Sequence, residues 1–211
     1  MEFGDVVRGR RMVRAYDPTR PVPTATLTGL LDLAIRAPSA GFSQGWDFVV
    51  LRAPADVTRF WKATREDDGE PDRWLLGMQT APVLVLCLSD RDRYLDRYAQ
   101  PDKGWTDRDT ARWPVPYWDV DTGMAALLIL LGAVDQELAG CFFGVPPIRQ
   151  AAVLSEFDAP ADRRIVGVIS LGYPAAPGAD RRSPSLRRGR RPISEVAHDG
   201  GFGKPWPAKL P

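Results

Sequence analysis

The sequence predicts a globular chain of the α/β or α+β class. Three apolar runs, at 48–51, 83–88 and 165–171, predict buried strands, and the last two are rich in β-branched residues or leucine. Segments with helical spacing of apolar residues lie between these runs. Hydrophobic residues make up 44% of the 211 residues, which is ordinary for a globular protein and enough to form a core without disulfides.

The helices are predicted from apolar periodicity and from proline. Apolar residues recur at helical spacing from Thr24 or Thr26 to Ala37, and Pro38 ends the pattern. A second helix is predicted to begin at Pro54, and a short one covers 148–154. The segments 39–46 and 141–147 are interpreted as a loop and a turn-rich stretch.

The longest apolar segment predicts a helix over 121–138. It is apolar almost all round between 124 and 134, which predicts burial on every side. In a chain of this length, burial on every side favours a helix that contributes to a dimer interface as well as to the core. The apolar run is about half the length of a membrane span, so a core helix is the better interpretation.

Residues 90–118 combine aromatic side chains with charges and prolines and have no regular period. We interpret them as an ordered excursion that covers a site or forms an oligomer contact. The alternative is a loop whose aromatic residues pack on the core. The aromatic residues concerned are Tyr94, Tyr98, Trp105, Trp113, Tyr117 and Trp118.

Composition excludes several classes of function. Lys and Arg total 28 and Asp and Glu total 27, so the chain as a whole is not a strongly basic nucleic-acid binder. Two cysteines exclude a disulfide framework, and a single histidine argues against a multi-histidine metal site or a Ser-His-Asp triad. No metal site is predicted, and redox chemistry would belong to an organic cofactor.

No phosphate-binding P-loop and no GxGxxG motif after a strand is present, so a Rossmann cofactor site is unsupported. The first residues have no apolar stretch before a cleavage site, so we expect a cytoplasmic protein without a membrane partner.

Arginine is concentrated near both ends of the chain. Arg8, Arg10, Arg11 and Arg14 lie near the start, and six of the eleven residues from 181 to 191 are arginine. Such runs are often solvated segments. Alternatively, the two clusters converge on one anion, because the guanidinium fork binds phosphate bidentately.

Four segments, in this order, resemble the signatures of the FMN-dependent nitroreductase family. Residues 10–16, RRMVRAY, stand where the family has Arg-Arg-Ser-x-Arg-x-Phe, and 37–46 match Ala-Pro-Ser-x-x-Asn-Ser-Gln-Pro-Trp with Phe42 for Asn and Gly45 for Pro. The long apolar helix and GCFFG at 140–144 follow. The closing pattern is matched by LGYP at 171–174 and RRPISEV at 190–196. The resemblance covers roughly residues 5–198.

The resemblance implies an α+β fold in which a mixed sheet is flanked by helices. It also implies an intertwined homodimer with two FMN sites at the interface. The whole of 1–211 is then one domain, with a variable aromatic-rich lid at 90–118 and an irregular, arginine-rich C-terminal segment and tail at 175–211.

The resemblance also implies which residues hold the cofactor. Arginines from both chain ends bind the FMN phosphate, and the loop after Pro38 covers the flavin ring from the partner subunit. Backbone after the long helix faces flavin N5, and Arg11 stabilises the reduced ring. The residues implied are Arg10, Arg11, Met12, Arg14, Pro38, Ser39, Ala40, Gln44, Phe143, Gly144, Arg188 and Arg190. Met12 lacks the hydroxyl of the family serine, so one contact is lost or supplied by backbone.

The implied activity needs no catalytic side chain, because the flavin carries the chemistry. NAD(P)H delivers hydride to N5 and leaves, and an acceptor then uses the same face of the ring, which is ping-pong kinetics. The acceptor is a nitroaromatic, a quinone or an enone-like compound. Its pocket is formed by Phe42, Trp105, Trp113, Tyr117 and Trp118.

Two alternatives remain open at this point. The first is a flavin-binding protein of the same fold with little or no turnover, which the changes at Met12 and Phe42 favour. The second is nucleic-acid contact through 181–191, which the near-neutral net charge opposes.

Overall fold

A four-stranded antiparallel sheet organises the larger of two units in the computed structural model, which describes residues 1–65, 69–176 and 187–207. The units are Met1–Asp180 and Arg181–Pro211. The strands are β1 (Trp46–Leu51), β2 (Val83–Ser89), β3 (Ala139–Phe143) and β4 (Arg164–Gly172), in the order β1-β2-β4-β3.

Helices surround this sheet, which confirms the predicted α+β class. In the larger unit they are α1 (Phe3–Gly9), α2 (Thr24–Ala34), α3 (Pro54–Thr64), α4 (Arg73–Met78), α5 (Arg91–Ala99), α6 (Tyr117–Asp135) and α7 (Gln150–Glu156). The described part of the smaller unit holds α8 (Ile193–Val196). Short 3-10 turns lie at Ala40–Phe42, Thr110–Arg112 and Pro147–Arg149.

The predicted mixed sheet has antiparallel ladders between all neighbouring strands of the described chain. The parallel pairing expected of a mixed sheet is represented, among the described residues, by an isolated bridge between Met12 and Gly140 of the edge strand β3. The N-terminal segment thus runs along the outer edge of β3.

Strand β2 divides the core into two clusters. Its residues are all buried, as predicted for a central strand. Leu84, Leu86 and Leu88 face the cluster that contains Phe60 and Trp61 of α3. Val83, Val85 and Cys87 face the cluster formed with α2 and α6. This alternation follows from the two-residue period of a strand covered on both faces.

The long helix differs from its prediction in one respect. α6 packs on α2 and on the sheet, but one face stays exposed within the chain, so burial on every side is wrong for the single subunit. Tyr117, Val120, Met124 and Leu127 form this exposed apolar stripe at helical spacing. By length and composition alone α6 could cross a membrane, but its packing on the sheet is that of a core helix.

Several elements have no counterpart in the sequence prediction, among them the short helices α1, α4 and α8. β3 lies in a segment that the sequence predicts to be turn-rich, because Gly140 and the nearby Pro146-Pro147 pair resemble turn signals. α5 lies in the predicted irregular excursion, because its buried apolar residues, Tyr94 and Leu95, stand among many charges.

Candidate functional site

A cleft of about 310 Å³ lies at the end of β3, between β3, α3 and α4. This volume is within the range of small-molecule sites. Its apolar wall is formed by Trp61, Trp74, Leu75, Phe143 and Pro146. Its polar rim includes Thr64, Arg65, Glu70 and Asp72.

Aromatic packing shapes the wall of this cleft. The rings of Trp61 and Phe143 are stacked, with centroids 5.5 Å apart and an interplanar angle of 11°. Trp74 meets both rings edge-on. The indole Nε1 of Trp61 is buried and has no hydrogen-bond partner among the described residues. The cleft therefore offers flat apolar surface, which suits an aromatic ligand.

Gly144 leaves the backbone open at the end of β3. A Cβ atom built at this position would meet no other atom within 4 Å. A flat group can therefore approach the peptide there closely, as the sequence analysis predicts for Phe143 and Gly144.

The N-terminal arginine segment runs between the two elements that flank the cleft. On one side, the backbone N–H of Val13 donates to the carbonyl of Gly140 over 3.1 Å. On the other side, the Arg14 carbonyl lies so close to α4 that a Cβ at Gly77 would come within 2.2 Å of it. The segment 10–14 is thus fixed next to the cleft by backbone contacts.

The arginines of this segment differ in their surroundings. The Nη1 atom of Arg10 is buried without a hydrogen-bond partner in the described part of the chain. Arg11 is exposed, and the Arg14 guanidinium donates to the Met12 carbonyl over 3.5 Å. A buried guanidinium donor without an acceptor is costly, so Arg10 could hold an anion at this position.

Loop 38–44, which follows α2, lies elsewhere in the subunit. It precedes β1, whereas the cleft lies at the end of β3, and these strands are the opposite edges of the sheet. Within the loop, Ser39 Oγ accepts from the Gln44 amide over 3.0 Å, and the Phe42 side chain is 75% exposed. One chain therefore does not bring Pro38, Ser39, Ala40, Phe42 or Gln44 to its own cleft.

The aromatic residues predicted for the acceptor pocket pack on one another. Trp113 lies at their centre, and its ring centroid is between 4.6 and 6.1 Å from the rings around it. Those rings belong to Tyr94, Tyr98, Trp105, Tyr117 and Trp118. These side chains do not line the cleft of their own subunit.

The C-terminal arginines belong to the smaller unit. Arg188 and Arg190 are exposed there, and Arg191 pairs with Glu195 over 3.3 Å. Arg181 and Arg182, which belong to the same predicted cluster, lie outside the described residues.

Sequence reasoning missed Trp61 and Trp74 as parts of the cleft. Trp61 lies on the buried face of α3, so its residue type and position suggest a core residue. Trp74 belongs to α4, a six-residue helix too short to give a periodic signal. Its Asp72 N-cap, whose side chain accepts from the Leu75 amide over 2.8 Å, was the available local signal.

Comparison with known proteins gives the chain a family. Residues 7–173 match the model described as the Nitroreductase family. A 4-nitrobenzoate reductase from Nocardioides sp. (strain LMS-CY) is 32% identical, over 86% of this chain and 86% of that protein. An NADH dehydrogenase from Thermus thermophilus is 28% identical, over 85% of this chain and 90% of that protein.

Solved structures share the fold. A nitroreductase family protein from Clostridium difficile 630 superimposes with a TM-score of 0.69 and 21% identity, over 96% of this chain and all of the other. A nitroreductase from Exiguobacterium sibiricum 255-15, solved in complex with FMN, has a TM-score of 0.69 and 20% identity, over 93% and 96% of the two chains.

Proposed function

This chain belongs to the nitroreductase family of NAD(P)H-dependent oxidoreductases, and from that premise we propose that it works with FMN bound beside the aromatic cleft. The observations that carry the proposal are the open backbone at Gly144 in the aromatic cleft and the buried Nη1 atom of Arg10, which has no hydrogen-bond partner among the described residues. The flat ring of FMN suits the open backbone of the cleft, and its terminal phosphate suits the guanidinium donor of Arg10.

The two parts of the cofactor are assigned to different residues. The ring would lie in the cleft against Phe143 and Gly144, because the wall there is flat and apolar. The phosphate would lie outside it, since carboxylates of Glu70 and Asp72 stand on the rim of the cleft. Arg10 and Arg14 would hold the phosphate, and Arg11 would stay near the ring.

We further propose a homodimer in which the partner completes the site. The apolar stripe on α6 needs a cover, and a second copy of the same stripe supplies one. Loop 38–44 lies at the opposite edge of the sheet from the cleft, so the copy that contributes it is the partner. Pro38, Ser39, Ala40 and Gln44 of one subunit would then cover the cofactor of the other.

Hydride transfer from NAD(P)H and electron transfer to an acceptor are the chemistry that FMN would supply when bound, so the protein would need no nucleophile or general acid of its own. The described lining of the cleft has no His or Cys, which is consistent with that division of labour. The chain's own residues bind the cofactor, orient the two reactants and exclude water. Because both reactants would use one site in turn, we propose ping-pong kinetics.

The proposed acceptor is a small nitroaromatic, quinone or enone-like compound. Flat aromatic walls favour such molecules over aliphatic ones. Phe42 and the aromatic excursion of the partner would form the outer part of the pocket, through Trp105, Trp113, Tyr117 and Trp118. The similarity to a 4-nitrobenzoate reductase makes 4-nitrobenzoate the first acceptor to test.

We treat 1–211 as one functional domain and place the protein in the cytoplasm, without nucleic-acid or membrane partners. Cys87 and Cys141 are both buried and form no disulfide with each other, which suits a reducing compartment.

Steady-state consumption of NADH and NADPH tests the activity. With 4-nitrobenzoate or a quinone, the proposal predicts sustained turnover and parallel double-reciprocal plots when both substrates are varied. A chain that retains FMN but shows no turnover with any acceptor class would instead be the flavin-binding protein of the alternative hypothesis.

A further inference from the structure

A buried carboxylate ties loop 38–44 to the helices beneath it. Asp121 of α6 is only 2% exposed, and its Oδ2 atom accepts two hydrogen bonds. One comes from the backbone N–H of Ala40 over 2.9 Å, and the other from the hydroxyl of Tyr94 over 2.7 Å. Tyr94 belongs to α5 and is fully buried. A single oxygen atom therefore joins the loop to both helices.

The far end of the loop rests on the same tyrosine. A Cβ atom at Gly45 would come within 2.4 Å of Tyr94 Cε2 and 2.7 Å of the Asp90 carbonyl, so the close approach requires glycine. The Asp90 amide donates to the Gly45 carbonyl over 2.9 Å. Tyr94 thus fixes the start of the loop through its hydroxyl and the end through its ring.

The middle of the loop also rests on α5. Gly41 has a φ of +61°, and a Cβ there would come within 2.7 Å of the Tyr98 ring. The Nε–H of Arg97 donates to the Gly41 carbonyl over 2.9 Å. These contacts hold the loop against the helix along its whole length.

The loop is held in a conformation that it would not adopt alone. Phe42 has a φ of 55° and Gln44 a φ of 50°, values at which non-glycine residues are strained by about 1–2 kcal/mol each. Burial of Phe42 does not offset this cost within the subunit, because its side chain is 75% exposed. Such strain persists only where surrounding contacts fix the backbone, and here Asp121 and α5 supply them.

We propose that Asp121 is a positioning residue that acts with Tyr94 to hold loop 38–44 in the shape needed at the partner's flavin. This inference rests on the proposed function, since the loop is the part that covers the cofactor of the other subunit. Asp121 touches no reacting group and acts only through Ala40 and Tyr94. Without its carboxylate, two buried donors lose their acceptor and the strained loop relaxes.

The test substitution is Asp121→Asn, and Asp119→Asn is its matched control. Asp119 lies on the same helix, and its carboxylate accepts from Ser89 Oγ over 2.6 Å and from Arg164 Nη1 over 2.8 Å, not from the loop. Both variants lose one charge from α6. Only the Asp121 variant should release the loop, because a neutral amide oxygen accepts the two bonds more weakly than a charged carboxylate oxygen does, and the amide also places two new N–H donors in the buried site.

Hydrogen exchange on the flavin-free full-length chain is the first readout. In Asp121→Asn we expect the amides of 40–44 to exchange about tenfold faster, a fold-change typical of one lost buried hydrogen bond. The amides of 83–88 in β2 should keep their wild-type rates in this variant, and the amides of 40–44 should keep theirs in Asp119→Asn. Unchanged loop amides in Asp121→Asn, or equal acceleration in both variants, would overturn the proposal.

Kinetics supply the second readout. We expect Asp121→Asn to lower kcat/KM for the acceptor about tenfold. The same constant should change less than threefold in Asp119→Asn. Tyr94→Phe keeps the ring against Gly45 but removes one donor, so its effect should be smaller and in the same direction; it also serves if Asp121→Asn does not fold. Faster loop exchange with an unaltered kcat/KM would contradict the positioning role.

The two proposals fail in distinguishable ways. A wild-type chain that binds no FMN would contradict the proposed function. The exchange rates of the flavin-free chain would still show whether Asp121 holds the loop.

Discussion

The Sδ atom of Met12 lies 3.4 Å from the backbone nitrogen of Phe142 and accepts its hydrogen bond. Met12 also packs against both core clusters, at the point where the N-terminal segment meets the edge of β3. The side chain that replaces the family's serine therefore has a structural contact of its own. This contact makes the loss of a hydroxyl compatible with a well-ordered segment 10–14.

Two substitutions of Met12 distinguish the contribution of its packing to stability from that of its hydrogen bond. Met12→Leu keeps the volume and should lower the free energy of unfolding by less than about 1.5 kcal/mol. Met12→Ser removes buried apolar volume and should cost about 2 kcal/mol or more. Urea unfolding of the two variants measures both values. Equal costs would contradict the packing role, because the thioether acceptor is lost in both variants.

Replacing Arg10 should weaken FMN binding without destabilising the fold. Arg10→Met keeps the apolar stem, and no protein hydrogen bond from Nη1 is lost because none is present among the described residues. One charge-assisted bond corresponds to a rise of about ten- to hundredfold in the FMN dissociation constant. Quenching of flavin fluorescence measures this constant. Arg8→Met, at an exposed position two residues earlier, is the matched control and should raise it much less.

A methyl group at Gly144 tests where the flavin ring lies. The space beside this residue is open in the protein, so Gly144→Ala should leave the Tm of the flavin-free chain almost unchanged. If the ring approaches the backbone there, the added carbon displaces it and the FMN dissociation constant rises about tenfold. Gly29→Ala is the control, because it also adds a methyl group in open space but lies on α2. Equal FMN affinity in Gly144→Ala and wild type would contradict the placement of the ring beside Gly144.

The buried phenol of Tyr94 should make stability fall at alkaline pH. Burial, and then the hydrogen bond to Asp121, raise the pKa of Tyr94 above its ordinary value of about 10. The folded state therefore holds the phenolic proton more tightly than the unfolded state. The resulting stability is fully present below pH 10 and is lost as the pH rises further, by at most about 1.4 kcal/mol per pH unit.

Urea unfolding at pH 9 and pH 11 measures this contribution. The fall in unfolding free energy between the two values should be smaller in Tyr94→Phe than in wild type. Tyr117→Phe, at a position that is 40% exposed, should retain the wild-type fall. Identical falls in all three proteins would contradict the predicted shift in the pKa of Tyr94.

The sequence predicts the elements whose signal is local. Strand β2 is an uninterrupted apolar run and proves to be covered on both faces. α3 begins at Pro54 as predicted, with Phe60 and Trp61 buried. By contrast, β3 is defined by its pairing with β4, a partner more than twenty residues further along the chain, and its glycine and the following prolines resemble turn signals.

The candidate site also has residues that the sequence predicts and one that only the structure shows. The resemblance picks out Arg10, Phe143 and Gly144, which the fold brings to one edge of the sheet. It does not pick out Asp121, because the contact with Ala40 joins residues 81 positions apart and depends on how α6 packs. No local pattern in the sequence predicts such a contact, because the hydrogen bond forms only when the two distant segments pack together.

The flavin content of the purified protein tests the central claim most directly. An absorbance spectrum, followed by acid release and identification of the chromophore, is the measurement. We predict a yellow protein that releases FMN in stoichiometric amount, or a colourless one that takes FMN up when it is added. NAD(P)H should then bleach the bound flavin. A chain that is isolated colourless and takes up no added FMN would contradict the assignment of the cleft and of Arg10 to this cofactor.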